Sequence, residues 1–404
     1  MSATLPAAAP SSVAAAPIRL SSVDILRGAV MVLMAIDHVR VYAGVPAGGP
    51  DPGVFFTRWV THFCAPAFVF LAGTSAFLYG RTHKDLSRFL LLRGAWLVLL
   101  ELTVIRVAWT FNFDFANYLL AGVIWVIGWC MILMALLVKL PVKVVGGGGV
   151  AIIVLHNAIM TPLVGLLPDS LSWLRKILYV GFFDEPSRLF GSGPPLIVLY
   201  VIVPWIAVMA AGYGFGAILA MEPARRDRLC LRIGLGAIAA FLVLRGFNLY
   251  GDPRPWSAPS PGGEGPGMPA ALSFLNTAKY PASLNFLLMT LGPTIALVPL
   301  LEKARGRLAQ WLTVFGRVPF FFYLLHIPLI HALALLVSLI REGSLNPWLF
   351  TNHPMANPPP PDGYLWSLGL LYLVWGVAVA LLYIACRWFA GVKARRHDWW
   401  VRYL

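Results

Sequence analysis

The sequence predicts an all-α, polytopic membrane protein with about ten transmembrane helices in a single bundle, and three observations support this fold class. The chain has 404 residues, of which 59% are hydrophobic and only 12% are charged. Soluble domains carry about 25% charged residues, so a soluble fold of this composition would expose large apolar patches. Apolar residues also recur along nearly the whole chain, which excludes disordered, collagen-like and nucleic-acid-arm classes.

Ten apolar segments define the predicted helices. A helix needs roughly 20 apolar residues to cross a bilayer, and each segment is about that long. They cover residues 22–43, 61–80, 88–109, 118–139, 145–165, 195–219, 229–250, 283–301, 318–340 and 365–388. Before the ninth segment, residues 308–315 predict a short interfacial helix that turns into the span at Gly316 and Pro319.

The ends of the chain differ in composition from this transmembrane domain, which we assign to residues 19–390. Residues 1–18 are rich in Ala, Pro and Ser and contain no basic residue. They therefore predict a disordered cytoplasmic tail and not a signal peptide. Residues 391–404 form a basic cytoplasmic tail.

The basic residues predict the orientation of the chain, because Lys and Arg accumulate on the cytoplasmic side of membrane proteins. If both termini lie in the cytoplasm, 21 of the 31 Lys and Arg residues fall in inner segments. A different number of helices would scramble this alternation. We therefore expect a multi-pass protein of the cell (inner) membrane whose N- and C-termini are both cytoplasmic.

Polar and ionisable side chains inside the apolar segments are costly in lipid, so each is a candidate functional group. They are Asp24, Arg27, Asp37, His38 and Arg40 in the first segment, Arg58 and His62 at the second, Glu101 and Arg106 in the third, His156 and Asn157 in the fifth, Arg245 and Asn248 in the seventh, and His326 and His331 in the ninth. Most lie in the central or outer part of the membrane. This distribution predicts a shared, water-accessible cavity that opens outward.

Some of these charges have a structural alternative. Asp24 and Arg27 lie three positions apart on one helix face, so they form either a topology-anchoring ion pair or part of the cofactor side. Glu101 and Arg106 belong either to a buried ion pair with a partner helix or to the substrate site.

The histidines and Asp37 are harder to explain by structure alone. Adjacent residues on a helix point about 100 degrees apart, so Asp37 and His38 should face different neighbours. His326 and His331 lie about 140 degrees apart on a straight helix, which makes them poor joint metal ligands. A metal site built from Asp37, His38, His62 and His326 has no ligand spacing that demands it, and we expect none.

Apart from His62, the remaining histidines and the cysteines are expected to lie outside the site. His62 lies near the outer end of its helix and is either solvated or part of the site. His83, His353 and His397 lie in loops or the tail and should be solvated. The cysteines lie in or beside apolar segments, and their spacing suggests neither a metal site nor a disulfide framework: Cys64, Cys130, Cys230 and Cys386.

Three stretches of the chain carry a family resemblance. The run Arg19-Leu-Ser-Ser-Val-Asp24-Ile-Leu-Arg27-Gly28 fits the pattern R-x-x-S-x-D-x-x-R-G ahead of an apolar helix. The likeness continues through residues 34–40 and 55–75, and again through 315–328. On these motifs the chain resembles the heparan-α-glucosaminide N-acetyltransferase catalytic-domain family of integral membrane acyltransferases, including its bacterial members.

The resemblance implies a reaction in which an acetyl group passes from cytosolic acetyl-CoA to an amino sugar on the far side of the membrane. It implies a basic inner face for the CoA phosphates and a histidine that acts as general base or acyl carrier. In the lysosomal enzyme that histidine lies between the first two helices, but residues 41–51 contain none here. The signature places His38 opposite an asparagine and His62 opposite an aspartate, which makes His38 the expected replacement.

We therefore expect an acyltransferase that uses acetyl-CoA to modify an extracytoplasmic sugar or glycolipid. The expected catalytic residues are His38, Asp37, His62 and His326. The expected substrate-binding residues are Arg40, Arg58, Glu101, Arg106, Arg245 and His331, with Asp24 and Arg27 on the structural or cofactor side. The expected partners are the lipid bilayer, the acceptor and a possible second copy, with no nucleic acid. The alternatives are a membrane transporter or flippase, which also needs midplane polar groups, and a non-catalytic scaffold.

Overall fold

The computed structural model describes residues 20–181, 187–188, 193–257, 267–354, 358–396 and 398. Within these residues the first helices are α1 (Ser21–Tyr42), α2 (Pro52–Trp59), α3 (Cys64–Gly80), α4 (Leu86–Leu100), α5 (Arg106–Thr110), α6 (Val123–Leu137), α7 (Val142–Gly165) and α8 (Ser172–Arg175). The later helices are α9 (Ile202–Leu219), α10 (Pro223–Gly246), α11 (Ala270–Leu275), α12 (Leu284–Ala296), α13 (Val298–Lys303), α14 (Arg307–Arg317), α15 (Pro319–Glu342) and α16 (Leu368–Arg395). The predicted tail at 1–18 and half of the tail at 391–404, namely His397 and residues 399–404, lie outside the described residues.

Short irregular turns join some of these helices into longer ones. A 3₁₀ turn at Val60–Phe63 makes α2 and α3 one continuous stretch, and a π-helical turn at Glu101–Ile105 joins α4 to α5. A second π-helical turn, Lys176–Val180, follows α8, and further 3₁₀ turns cover Asp169–Leu171 and Pro347–Phe350. The π turn beside Glu101 widens α4 at the level of a buried carboxylate, as such turns often do at functional sites.

Each of the ten predicted segments overlaps a helix, so the predicted helical membrane fold is confirmed at this level. Among the described residues, seven helical stretches are long and apolar enough to cross a bilayer by length and composition: Pro52–Gly80, Val142–Gly165, Ile202–Leu219, Pro223–Gly246, Leu284–Lys303, Pro319–Glu342 and Leu368–Arg395. α6 is apolar but shorter, and α1 contains four charged residues. The count of ten spans and the orientation of the termini stay predictions.

The predicted starts of the fourth and sixth segments are wrong, because both begin as β-strands. Strand β1 (Leu119–Ala121) pairs in parallel with β3 (Pro195–Val198), with Leu119 opposite Leu196, and β2 (Ser187–Arg188) pairs antiparallel with β3. β1 and most of β3 are buried. The periodicity of a short, buried apolar run does not distinguish a strand from a helix. Helices α6 and α9 therefore start at Val123 and Ile202.

Helix α1 occupies the centre of the bundle, in contact with α3, α14, α15 and α16. The interfacial helix α14 forms where it was predicted, and glycines allow it to lie directly on α1. A side chain at Gly28 would collide with the backbone of Leu312, and one at Gly316 would collide with the backbone of Asp24. This close approach fixes the start of α15 beside α1, which brings the polar residues of both helices together.

The periphery of the bundle is apolar. Helices α7, α10 and α16 expose large hydrophobic side chains, including Val150, Leu155, Ile159, Leu235, Leu242, Leu373, Val377 and Ile384. Such continuous apolar surface would aggregate in water and is typical of protein that faces lipid.

Candidate functional site

A pair of histidines lies at the centre of the molecule, between α1 and α15. Nδ1 of His38 lies 2.6 Å from Nε2 of His326, and the two rings stack with their centroids 4.8 Å apart. His326 is completely buried, whereas His38 as a whole residue is half-buried, and its ring meets the edge of Trp109. The two histidines are 288 positions apart in the sequence, so only the fold brings them into contact.

The contacts of His326 determine how the protons are placed in the neutral pair. Nδ1 of His326 lies 2.6 Å from the carbonyl oxygen of Tyr323, and because that oxygen only accepts, this Nδ1 carries a hydrogen. Nε2 of neutral His326 then accepts, so Nδ1 of His38 donates to it. This assignment leaves a lone pair on Nε2 of His38. The arrangement resembles a general base oriented by a second group.

Beside this pair, Asp37 holds two guanidinium groups. Nε of Arg40 donates to one carboxylate oxygen at 2.8 Å, and Nη1 of Arg58 donates to the other at 2.7 Å. Arg40 also donates to the carbonyl of Val45. The expectation that Asp37 and His38 face different neighbours is therefore confirmed. Asp37 does not orient His38 directly. Its contact with Arg58 joins the end of α1 to α2.

A cavity of about 470 Å³ opens beside these guanidinium groups; we call it the outer cavity because it lies at the end of α1 that the sequence predicts to be extracytoplasmic. Its polar lining includes Arg40, Arg58 and His62, as predicted, and these are 5%, 7% and 7% exposed. The expectation that His62 could be solvated is wrong, because its ring is enclosed by the cavity wall and meets Phe286 edge-on. Trp59 and Trp348 also line this cavity.

Sequence reasoning missed two residues of the outer cavity, Lys279 and Tyr280. Burial and the nearby Arg58 guanidinium lower the pKa of Lys279. Burial would raise the pKa of Tyr280, but the Lys279 ammonium and the Arg58 guanidinium outweigh this effect and lower it to about 8. The signal that could have identified Lys279 is its place in an outer loop, the side on which the positive-inside rule expects few basic residues.

A second, inner cavity of about 360 Å³ lies at the other end of α1. Four basic residues and one acidic residue line it: Arg27, Arg93, Arg317, Lys393 and Asp24. The rest of its lining is largely apolar and includes Met31, Ile127, Met131 and Phe320, together with Tyr323. Nη1 of Arg27 lies 4.0 Å from the Asp24 carboxylate, so the predicted neighbourhood of these residues is confirmed. Both residues line the inner cavity, and their assignment to the cofactor side stays a prediction.

The histidine pair lies between the two cavities. Along α1, Asp24, Arg27 and Met31 line the inner cavity, and Arg40 begins the lining of the outer cavity. His38 lies between these two sets. Along α15, His326 follows Tyr323 of the inner cavity by one turn.

Neither Glu101 nor Arg106 lines the outer cavity, and the two side chains bind other groups and not each other. The Glu101 carboxylate meets the backbone N–H groups of Gly122, Ile124 and Trp125 at the start of α6. The guanidinium of Arg106 is fully buried and donates to the carbonyls of Tyr118, Asn112 and Asp114 and to side chains around them. The expectation that Glu101 and Arg106 belong to a buried ion pair is therefore wrong. The contacts of Arg106 instead hold the loop after α5.

Arg245 and His331 also lie away from the outer cavity. The guanidinium of Arg245 donates to four backbone carbonyls, those of Phe274, Arg254, Ser273 and Asn276, and lies 3.7 Å from Asp252. His331 is buried, stacked between the rings of Tyr42 and Phe111. We expected both residues to contact the acceptor from their positions in the sequence. In the structure Arg245 binds backbone carbonyls and His331 packs between aromatic rings.

The expected solvation of loop histidines is confirmed for His83 and wrong for His353. His83 is exposed, whereas His353 is 6% exposed and packs on Trp348 with ring centroids 4.0 Å apart. Burial lowers the pKa of His353 to about 3. All four cysteines are buried and free. Within the described parts of the chain, no three His, Cys, Asp or Glu residues are grouped to hold a metal ion.

The chain matches a known family over more than half of its length. The family model for the catalytic domain of heparan-alpha-glucosaminide N-acetyltransferase matches residues 19–248, more than half of the chain. The chain belongs to this family. No curated protein matches it in sequence. Membership of the heparan-alpha-glucosaminide N-acetyltransferase family supports a membrane acyltransferase type of function, for which acetyl-CoA is the donor in general.

The family match covers only part of the site. Asp37, His38, Arg58 and His62 lie inside the matched residues, whereas His326 lies outside them. Lys279 and Tyr280 of the outer cavity also fall outside the match. The histidine pair therefore joins the matched domain to the later helices of the bundle.

Proposed function

We propose that this protein is an integral membrane acyltransferase that passes an acetyl or related acyl group from cytosolic acyl-CoA to an extracytoplasmic sugar or glycolipid. The observation that carries the proposal is the His38–His326 pair, which lies between a basic cavity at one end of α1 and a polar cavity at the other. A transfer across the membrane needs this order of donor site, base and acceptor site along one path.

The inner cavity suits the donor. Its basic residues, Arg27, Arg93, Arg317 and Lys393, match phosphate groups, which guanidinium groups bind in a bidentate manner. The apolar part of the lining suits the flexible pantetheine arm, and it includes Tyr323, whose carbonyl oxygen accepts a hydrogen bond from Nδ1 of His326. In this assignment the thioester reaches the level of the histidine pair while the nucleotide stays at the cytoplasmic mouth.

His38 would act as the general base. Its Nε2 lone pair takes the proton from the amine or hydroxyl of the acceptor as that atom bonds to the thioester carbonyl carbon. When the tetrahedral adduct collapses, the C–S bond breaks and His38 returns the proton to the departing thiolate. His326 keeps the base in one tautomer through the 2.6 Å contact between the rings. If His38 instead carries the acyl group transiently, the same lone pair bonds to the thioester carbonyl carbon and the C–S bond breaks, which releases CoA as the thiolate. The acceptor amine or hydroxyl then attacks the acyl carbon, the bond to Nε2 of His38 breaks, and the acceptor proton passes to the freed lone pair.

The outer cavity would hold the acceptor. Aromatic side chains at Trp59, Trp348 and Tyr280 offer flat apolar faces to a sugar ring, and Arg40 and Arg58 line the same space. Asp37 fixes both guanidinium groups, so the polar wall is preorganised and costs little to arrange on binding.

The proposal is tested with the purified full-length protein in liposomes. Radiolabelled acetyl-CoA is supplied on one side only, glucosamine on the other, and labelled N-acetylglucosamine is counted. We expect label in the sugar only when the donor faces the inner cavity. Absence of acetyl-CoA binding, of acetyl-CoA hydrolysis and of transfer to any sugar would refute the proposal, and uptake of glucosamine without acetylation would favour a transporter.

A further inference from the structure

The outer cavity carries more positive than negative charge. Four basic residues line it, Arg40, Arg58, Arg254 and Lys279, and none of the described residues that line it is acidic. The one carboxylate in contact with this group, Asp37, lies behind Arg40 and Arg58 and binds both. One negative charge therefore faces three buried positive charges, and Arg254 adds a fourth at the exposed rim.

Lys279 is the least compensated of these cations. It is 8% exposed, and its ammonium group lies 5.2 Å from the ring centre of Tyr280 and 6.0 Å from that of Tyr200. No salt bridge joins it to a carboxylate among the described residues. A buried ammonium without an anionic partner is costly, and its lowered pKa agrees with that cost.

Two hydrogen-bonding groups on the same wall lack a partner. Nδ1 of His62 and Nε1 of Trp59 are buried and make no hydrogen bond, although both residues line the cavity. The indole N–H only donates, so it needs an acceptor atom from outside the chain. Buried polar groups in proteins are nearly always satisfied, and oxygen atoms of a ligand in this cavity would satisfy both.

We propose that the outer cavity recognises an acidic group, a carboxylate or a phosphate, on the saccharide that accepts the acyl group. Lys279 is the main determinant, the Arg40–Arg58 pair completes the positive wall, and His62 and Trp59 bind oxygen atoms of the same ligand. This inference rests on the proposed function, because it describes the acceptor of that reaction. A neutral sugar of the same shape would leave the Lys279 ammonium buried and uncompensated, so the acidic one binds more tightly.

The test measures binding of sugar probes to the purified full-length protein by calorimetry. Glucuronic acid presents a carboxylate, glucose 1-phosphate presents a phosphate, and glucose is the neutral control of similar size. We expect at least one acidic probe to bind about tenfold or more tightly than glucose, as is typical of close charge pairs in a dry site. The tighter of the two acidic probes identifies the group. Equal affinity for all three sugars would overturn the inference.

Two variants assign the preference to the cavity. Lys279→Met keeps the side-chain stem and removes the charge, so it should abolish the preference for the acidic sugar, whereas Lys303→Met, at a side chain 77% exposed, should leave it unchanged. If Lys279→Met fails to fold, the exposed Arg254→Gln should reduce the preference by roughly threefold, in line with a weaker surface charge. An unchanged preference in the variant that folds would also overturn the inference.

Acetyl-CoA binding and hydrolysis are measured on the same preparations. Normal turnover of acetyl-CoA with no acid preference would reject this inference and leave the proposed function standing. Acid preference without any turnover would reject the proposed function and leave the anion site standing.

Discussion

Asp37→Asn should destabilise the protein strongly, because this one carboxylate binds two buried guanidinium groups. The N–O distances are 2.8 Å to Arg40 and 2.7 Å to Arg58, and the three side chains are 14%, 6% and 9% exposed, so solvent screens the pairs little. Removing one partner of a buried ion pair costs about 3–5 kcal/mol. The asparagine oxygen still accepts one hydrogen bond, so we expect a loss near the lower end, about 3 kcal/mol.

The assay is the free energy of unfolding of the full-length protein in mixed micelles, followed by circular dichroism during titration with a denaturing detergent. Asp169→Asn is the matched control, because its carboxylate also pairs with an arginine, Arg175, but is fully exposed. We expect no measurable change for this control. If Asp37→Asn unfolds within about 1 kcal/mol of the wild type, a value typical of surface pairs, then Asp37 does not hold the two arginines in a buried site.

Three further predictions concern the pair, the donor and the acceptor. His326→Gln should lower kcat by about 100-fold, within the range of general-base catalysis, with an unchanged KM for acetyl-CoA in steady-state assays; an unaltered kcat would exclude the orienting role. Arg317→Gln should raise the Kd for acetyl-CoA by about tenfold at low salt, and less at high salt because ions screen the contact; salt-independent binding would argue against phosphate contact. As pH rises through about 8, Tyr280 loses its proton and gains a negative charge, and Lys279, whose pKa is lowered, moves toward its neutral form. Both changes reduce the positive charge of the cavity, so calorimetry should show the affinity for glucuronic acid falling by about tenfold, whereas an affinity that rises with pH would contradict this sign.

Composition and charge placement predicted the helical membrane fold because both follow from bilayer physics. The cost of burying a peptide group in lipid requires apolar helices; the ten predicted segments each overlap a helix, and seven described stretches are long and apolar enough to span a bilayer. The strands were missed for the opposite reason. Leu119 and Leu196 pair only after the chain folds, and each apolar run alone is equally compatible with a helix.

The candidate site could be predicted in part. The rule that ionisable groups in a span are candidate functional groups drew attention to Asp37, His38 and His326, which the structure brings to one region. It could not separate them from Arg106 or Arg245, because a buried arginine that binds loop carbonyls has the same sequence appearance as one that faces a cavity. The difference lies in tertiary contacts.

Residues in the outer loops escaped prediction because no periodicity marks them. Lys279 lies between the short helix α11 and helix α12, and His353 lies in the loop before α16. We expected His353 to be solvated and did not single out Lys279, yet the structure encloses both. Burial of a loop depends on what packs above it, and a single sequence contains no signal for that packing.

The central claim is that His38 is the base of an acyl transfer, and its most direct test is single-turnover transfer of radiolabel from acetyl-CoA by purified His38→Gln. The account predicts that acetyl-CoA still binds, that transfer falls by about 100-fold to 10,000-fold, and that the exposed control His83→Gln keeps the wild-type rate. A His38→Gln protein that binds acetyl-CoA and transfers the label at the wild-type rate would contradict it.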